Sequence, residues 1–415
     1  MSDSDDSSIS DYQDEILDPA LMFIDSEDDD DDDFHVIISG AGIGGLMLAN
    51  LLEAAGSVVC LMPNVLPVFE QLGLYDEIKK MSYPVSKMDI LSESNLKKIS
   101  DYNFKDDKEW FGYQRIILQR PVLHSLLLQN IPPKRIHFGK KFKMLDQRQE
   151  GVAIQCTDKS EFYGDILVGA DGVNSGVRQS LYWQMAQDNI LPSSDLRAMS
   201  KGYVFLAGVT RSLSPADHPG LDTPSSNATF IISDGSPHSC SIATLPDNKI
   251  GWHASIQLSN AEFEEGRFRN SDEWEYEAND KTLQKVADCS TPFGKLGKLF
   301  QATPREMISR AYLGDILHET WHYQRTVLIG DACHKLLPNT GEGANAAIQD
   351  AIALANGLYE LTDSPSNEEI TESLQEYRNE RYPIVKAVYN SSQLHAKLQM
   401  GHSSVAGSPQ LTLPY

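Results

Sequence analysis

Residues 36–45 read VIISGAGIGG. The apolar, β-branched run Phe34–Ile38 predicts a buried parallel strand. Gly40, Gly42 and Gly45 then lead into the helical pattern Leu46, Leu48, Ala49, Leu51, Leu52, Ala55. Glycines at this spacing permit a tight turn, close approach of backbone to a pyrophosphate, and close packing of helix on strand. The helix start adds free N–H groups and partial positive charge for the phosphates. A second strand ending in Asp or Glu about 20 residues on normally follows, its carboxylate receiving the ribose hydroxyls. Here the pattern stops at Gly56, and from Ser57 the chain reads SVVCLMPNVLPVFEQLGLYDEI. The strand candidate Val58–Met62 ends on Met62 and Pro63, and Glu70 falls inside an amphipathic stretch, 65–74, that reads as helix.

Two further strand-to-loop patterns lie downstream. Residues 165–178 read DILVGADGVNSGVR, a strand running into Asp171 and Gly172, with Asn174, Ser175 and Arg178 beyond. Residues 326–345 read TVLIGDACHKLLPNTGEGAN: a strand ending in Gly330 and Asp331, a loop bearing Pro338, Gly341 and Gly343, then an Ala-rich helix from Ala344 to Leu361. A carboxylate at a strand end can take a ribityl or ribose hydroxyl, and N–H groups at a helix start can face an anionic ring edge or phosphate. Each pattern alone is also compatible with a capped turn.

Composition narrows the class. At 415 residues, 41% apolar and 23% charged, the chain resembles a soluble globular protein with room for about two to four domain units. Of its formal charge of −24, −15 sits in residues 1–33, which hold no Lys or Arg, so the remainder carries −9. Such a self-repelling segment is expected to be a solvated, disordered tail. The lack of a polybasic stripe argues against nucleic acid as ligand. Five scattered cysteines suggest neither a disulfide framework nor a metal knuckle, and a reducing, cytoplasmic setting fits them best. No run of eighteen uncharged apolar residues requires a membrane span, while peripheral contact through an amphipathic helix stays open. His318 and His322 stand four apart, which a helix would align, but no carboxylate or cysteine pattern completes a site with them or with His334, so no metal is expected.

These motifs, in this order over roughly residues 34–395, resemble the FAD-dependent aromatic-ring hydroxylase family with the p-hydroxybenzoate hydroxylase fold. Within it the chain looks most like the fungal secondary-metabolism branch of indole-diterpene and meroterpenoid epoxidases. The resemblance implies an α/β architecture: a Rossmann-like FAD-binding domain, an inserted antiparallel-sheet substrate domain and C-terminal helices. On that pattern residues 1–33 are the acidic tail, 34–180 the first part of the FAD-binding domain, 181–320 mainly the substrate sheet, 321–400 the GD motif with the C-terminal helices, and 401–415 a flexible tail. Gly40, Gly42 and Gly45 match the pyrophosphate fingerprint. Arg120, in LQRPVLHSLLL, matches the arginine that contacts the cofactor from a helix start. Asp171 and Gly172 match the DG motif linked to FAD and reduced nicotinamide. Asp331 matches the aspartate that holds the flavin ribityl chain, with Pro338, Gly341, Gly343 and Ala344 forming the loop and helix start against the ring. Arg178 is a further candidate for nicotinamide phosphate. The implied reaction takes electrons from NADPH or NADH and passes one atom of O2 to an apolar small molecule.

The departure from the family is equally local. In relatives a strand ending in Glu, an Arg and a cofactor loop precede the segment that begins here at Ser57, as though about 20 residues had been excised. Three readings follow: an exon omitted from the gene model, leaving an inactive variant; a true member with remodelled FAD binding, Val58–Cys60 serving as a makeshift strand; or a non-redox descendant such as a cyclase or isomerase. From about residue 180 to 320, short runs at Tyr203–Val209, Ala228–Ser233, Cys240–Leu245 and Ile250–Leu258 predict an antiparallel sheet with one exposed face. Tyr203, Phe205, Phe230 and Trp252 are candidates to line its pocket or its core. Glu262–Glu277 reads as a solvated acidic stretch, and 368–400 as a long amphipathic helix interrupted at Pro383.

Overall fold

The computed structural model of the chain describes residues 21–24, 34–40, 58–258, 280, 282–362 and 364–399. Gly42, Gly45, the helix expected over 46–55, the acidic stretch 262–277, the tail 401–415 and most of 1–33 lie outside the described residues.

The apolar run after the acidic stretch forms the strand Val36–Ser39, whose last three residues are buried. It pairs in parallel with Ile166–Gly169, and that strand pairs in parallel with Thr326–Leu328. The three are near-continuous apolar runs because both faces of a parallel sheet are covered. One core holds Ile37, Leu167, Val168, Val327 and Leu328 against Leu354 and Leu374 of the helices Gly343–Tyr359 and Asn367–Gln399. The second helix continues through Pro383, contrary to the interruption expected there. Its flanking turns are held against this core by Tyr377 and Val385, contacts that outweigh one lost backbone donor.

On the other side of Val36–Ser39 lies a strand from within the expected tail. Leu21–Ile24 pairs antiparallel with Val36–Ser39, Met22 opposite Ser39, and antiparallel with Ile136–Phe138. These four residues therefore depart from the solvated-tail expectation. Two facing strands with unfilled N–H and C=O rows require a partner, and a four-residue apolar run between acidic flanks suffices to supply one. Val58–Leu61 does not fill that position. It pairs antiparallel with Ile116–Gln119 in a separate three-stranded sheet.

The middle of the chain builds an eight-stranded sheet around Ser200–Val209, Ala228–Ile232, His238–Leu245, Lys249–Gln257 and Ile308–Leu317, joined at one edge by Lys87–Ser92 and Lys98–Asn103 and at the other by His334–Lys335. The expectation of an exposed face fails for its central strands. Val204, Leu206, Cys240, Ile242 and Trp252 pack under Leu296, Leu299 and Phe300, while Tyr203 and Phe205 on the opposite face pack against Leu337 and Ala396. Covering on both sides explains why the sequence alternates so poorly there. Among the described residues no helix is long and apolar enough to cross a membrane.

Candidate functional site

The carboxyl ends of Val36–Ser39, Ile166–Gly169 and Thr326–Leu328 lie at one edge of their sheet, where open α/β sheets bind ligands. Backbone bonds fix the three ends together: Ala170 N–H donates to Ser39 O at 2.8 Å and Ile329 N–H to Gly169 O at 3.1 Å. Gly40 follows at φ +106°, and a Cβ there would stand 2.4 Å from the Cα and N of Asp171. Only glycine fits this crossing. The first and second motifs are thus in contact.

Asp171 is partly buried, and its Oδ2 accepts the Val177 N–H at 3.1 Å at the start of helix Gly176–Gln187. Its Oδ1 is buried without a hydrogen-bond partner among the described residues. Burial raises its carboxyl above the ordinary range, opposed by hydrogen bonds from this helix start.

The second and third motifs are joined by Arg178. Its guanidinium donates to Val173 O and to Ala332 O, each at 2.7 Å. This places Arg178 as a clamp between the DG and GD loops. Asp331 accepts from Lys335, with 34% of its side chain exposed. Beneath this loop Asp350, fully buried, accepts Gly330 N–H at 3.0 Å and His334 Nε2 at 2.5 Å on one oxygen, and Arg381 Nε at 2.8 Å on the other. Burial pushes its acidity toward the neutral form, but His334 and Arg381 outweigh that and hold the carboxyl below the usual range.

Pro338–Thr340 form a short turn closed by Gly341 at φ +71°, and Gly343 opens the helix on which Ala344 follows. A Cβ added at Gly341 or Gly343 would meet no heavy atom within 4 Å, so the loop presents bare backbone to open space. Asn345 ties it to the rest: its amide donates to Cys60 O at 2.9 Å and Gly341 O at 3.2 Å, and its oxygen accepts Met62 N–H at 3.0 Å. Arg120 begins the helix after Ile116–Gln119, next to the Gln119 that pairs with Val58, and burial of His124, reinforced by the Arg120 charge, brings its imidazole down to about 4. Glu342, at the N-cap of the loop's helix, is pushed up to about 7 by burial, partly opposed by Arg115.

Strand parity separates the pocket candidates. Tyr203, Phe205 and Phe230 share the face that meets Leu337, whereas Trp252 faces the opposite core, where it donates to Thr303 Oγ1 at 2.9 Å. His253 belongs to the first face, with ring centroids 5.0 Å from Phe205 and 5.9 Å from Phe230 and its Nδ1 2.7 Å from Ser241 Oγ. Burial lowers its imidazole to about 4, leaving it neutral. Sequence reasoning missed His253, Asn345 and Asp350. The last two were signalled by being polar positions in an Ala-rich helix. His318 and His322 are not on a helix: His318 stands 3.6 Å from Asp195, and His322 bonds Gln375.

A paired set of strand ends, a glycine crossing, an orphaned carboxylate oxygen and an exposed-backbone loop fit a long dinucleotide carrying a planar ring. Comparison with known proteins agrees. The family described as FAD binding domain matches residues 269–392. The FAD-dependent monooxygenase paxM of Penicillium paxilli is 30% identical over 402 residues, covering 88% of this chain and 79% of that one. The FAD-dependent monooxygenase ausM of Penicillium brasilianum is 28% identical over 397 residues, covering 88% and 79%. Among solved structures, HpxO of Klebsiella pneumoniae complexed with FAD and uric acid superposes with a TM-score of 0.70 at 21% identity, over 89% of each chain. The fold likewise matches 2,6-dihydroxypyridine-3-hydroxylase from Arthrobacter nicotinovorans, with a TM-score of 0.67 at 17% identity over 92% and 96%. The site and these relatives together place the chain in the FAD-dependent monooxygenase family.

Proposed function

We propose that the chain is a monooxygenase that consumes NADPH or NADH and places one oxygen atom on an apolar, electron-rich alkene or aromatic ring of a terpenoid or polyketide metabolite. The observation that supports it best is the contact of Gly40 with Asp171 together with the bond from Ile329 to Gly169, which bring the ends of the three motif strands to one sheet edge beside an open glycine loop. FAD, when bound there, supplies electron transfer from the nicotinamide to O2 and delivery of one oxygen atom. The chain's own residues hold and orient it. Gly40, with Gly42 and Gly45, would receive the pyrophosphate and Asp331 the ribityl chain, while Arg120, Asp171 and Gly172 would complete the cofactor contacts. Pro338, Gly341, Gly343 and Ala344 would hold the ring, and backbone N–H groups from Asn339 to Gly343 would stabilise negative charge on it. The Tyr203, Phe205 and Phe230 face of the eight-stranded sheet forms the apolar substrate wall, and neutral His253 offers a hydrogen bond without a charge that would hold water.

The purified chain should be yellow, and added substrate should accelerate its NAD(P)H oxidation. Colourless protein that takes up no added FAD refutes the reading. A second reading, a non-redox enzyme using the same apolar pocket, draws on Leu21–Ile24: the strand beside Val36–Ser39 runs antiparallel, so no parallel strand ends there in a ribose-binding carboxylate. Turnover of a pathway intermediate without flavin or nicotinamide would select it. Transcript sequencing across codons 56 and 57 tests the third reading, since an in-frame exon there makes this chain a variant of a longer enzyme.

A further inference from the structure

A cluster of metal-ligating side chains lies outside the cofactor site. Glu93 follows the strand Lys87–Ser92 and is fixed by its N–H donating to Ile232 O at 2.9 Å. His238 opens the strand His238–Leu245, Cys240 stands two residues on, and Cys289 precedes the short strand Ser290–Thr291. One ligand atom from each of Glu93, His238 and Cys289 lies within 4.8 Å of the other two. His238 Nε2 is 2.9 Å from Glu93 Oε2, and Cys240 and Cys289 belong to one core cluster. The thiols are buried, Cys240 at 0% and Cys289 at 2% exposure, while the Glu93 and His238 side chains are 20% and 14% exposed and open the cluster to solvent. Both cysteines belong to the core on the sheet face opposite His253 and Phe205, so the cluster is separate from the substrate wall.

Sulfur, imidazole and carboxylate ligands in one small group suit Zn2+, which takes four such ligands in a tetrahedron. Bond lengths of about 2.0–2.3 Å put ligand atoms about 3.5 Å apart. The spacing of Glu93, His238 and Cys289 therefore closes by small side-chain rotations.

A second group, Cys333, His334 and Asp350, has similar composition but is already satisfied. Arg381 supplies the positive charge to Asp350 at 2.8 Å. Glu93, by contrast, faces an imidazole and a thiol.

We propose that Glu93, His238 and Cys289, with a water molecule in the fourth position on the solvent side, bind a single Zn2+ that staples three sequence-distant segments at the back of the eight-stranded sheet. Because such a site is not assembled in the unfolded chain, the ion's binding energy adds to folding.

The test uses the full chain stripped with a chelator and titrated with Zn2+ alone against a chromophoric competitor, and separately with Co2+ alone. One equivalent of Zn2+ should bind and raise the melting temperature, and Co2+ should show the near-ultraviolet absorption of a thiolate ligand. Cys289→Ser and His238→Gln should each weaken Zn2+ binding by more than about 100-fold, beyond the range for loss of an outer-sphere partner. His238 is partly exposed, so its variant remains informative if the buried cysteine variant does not fold. Absence of a bound equivalent overturns the proposal. So does Zn2+ binding without the cobalt–thiolate band and unaltered by His238→Gln, which would place the ion on carboxylates such as the Asp28–Asp33 run.

Discussion

Asp350→Asn replaces one carboxylate oxygen by an amide NH2 at a site where three donors converge. Gly330 N–H, His334 Nε2 and Arg381 Nε all point at Asp350, whose side chain is 0% exposed, and Arg381 is only 4% exposed. The substitution turns a donor toward a donor and leaves a buried guanidinium without its counter-charge. Breaking a buried ion pair from one side costs about 3–5 kcal/mol. That is a large share of the roughly 5–15 kcal/mol by which domains are stable. Because Gly330 N–H is one of the three donors, the loss should also loosen the GD loop and lower FAD uptake. Urea unfolding with and without FAD reads both effects. Replacing both partners, Asp350→Leu with Arg381→Met, should recover much of the stability, since removing the pair removes the unpaired charge. Acid supplies an independent check: Asp350 is held below its unfolded value, so its contribution is present above about pH 4 and lost as pH falls through the folded value. A loss under about 1 kcal/mol for Asp350→Asn, or a double variant as unstable as the sum of the singles, would refute the reasoning.

Arg178→Ala strands the carbonyls of Val173 and Ala332 and should destabilise the chain by about 2–4 kcal/mol, with Arg178→Lys recovering part. If instead only the KM for NADPH rose, with stability and flavin content unchanged, Arg178 would be a nicotinamide ligand and not a clamp. Glu342 has a folded value of about 7, raised by burial above its ordinary 4.5, so it favours the fold below pH 4.5 and loses that contribution as pH rises to about 7. Glu342→Gln should therefore gain about 1–3 kcal/mol at pH 8 and flatten the stability profile between those limits, and an unaltered profile refutes the assignment. Phe23→Pro removes a ladder donor between Ile38 and Ile136. It should cost about 3 kcal/mol and speed proteolysis at Val36–Ser39, whereas no effect would show that Leu21–Ile24 contributes nothing to the sheet.

The sequence revealed what is locally encoded. The glycine spacing after Val36, the strand ends at Asp171 and Asp331, and the runs of the middle sheet each announce themselves within about ten residues, and the structure sets Gly40 against Asp171 and bonds Ile329 to Gly169 at one sheet edge. What stayed hidden depends on distant partners. Leu21–Ile24 is too short and too acidic in its flanks to read as a strand, and forms one because two edges await it. Phe205 and Trp252 could not be assigned to pocket or core because the middle sheet is buried on both faces, which erases alternation. Asp350 finds Arg381 thirty-one residues away, and Arg178 finds Ala332 one hundred and fifty-four away, with nothing local to mark either match.

The antiparallel course of Leu21–Ile24 has one more implication. The position between Val36–Ser39 and Ile136–Phe138 admits a single occupant, and each neighbour fixes its register independently. Any parallel strand grafted between Gly56 and Ser57 would have to evict Leu21–Ile24. The chain's beginning and such an insert would then act as rivals for one berth, and seating the insert would set the acidic segment loose.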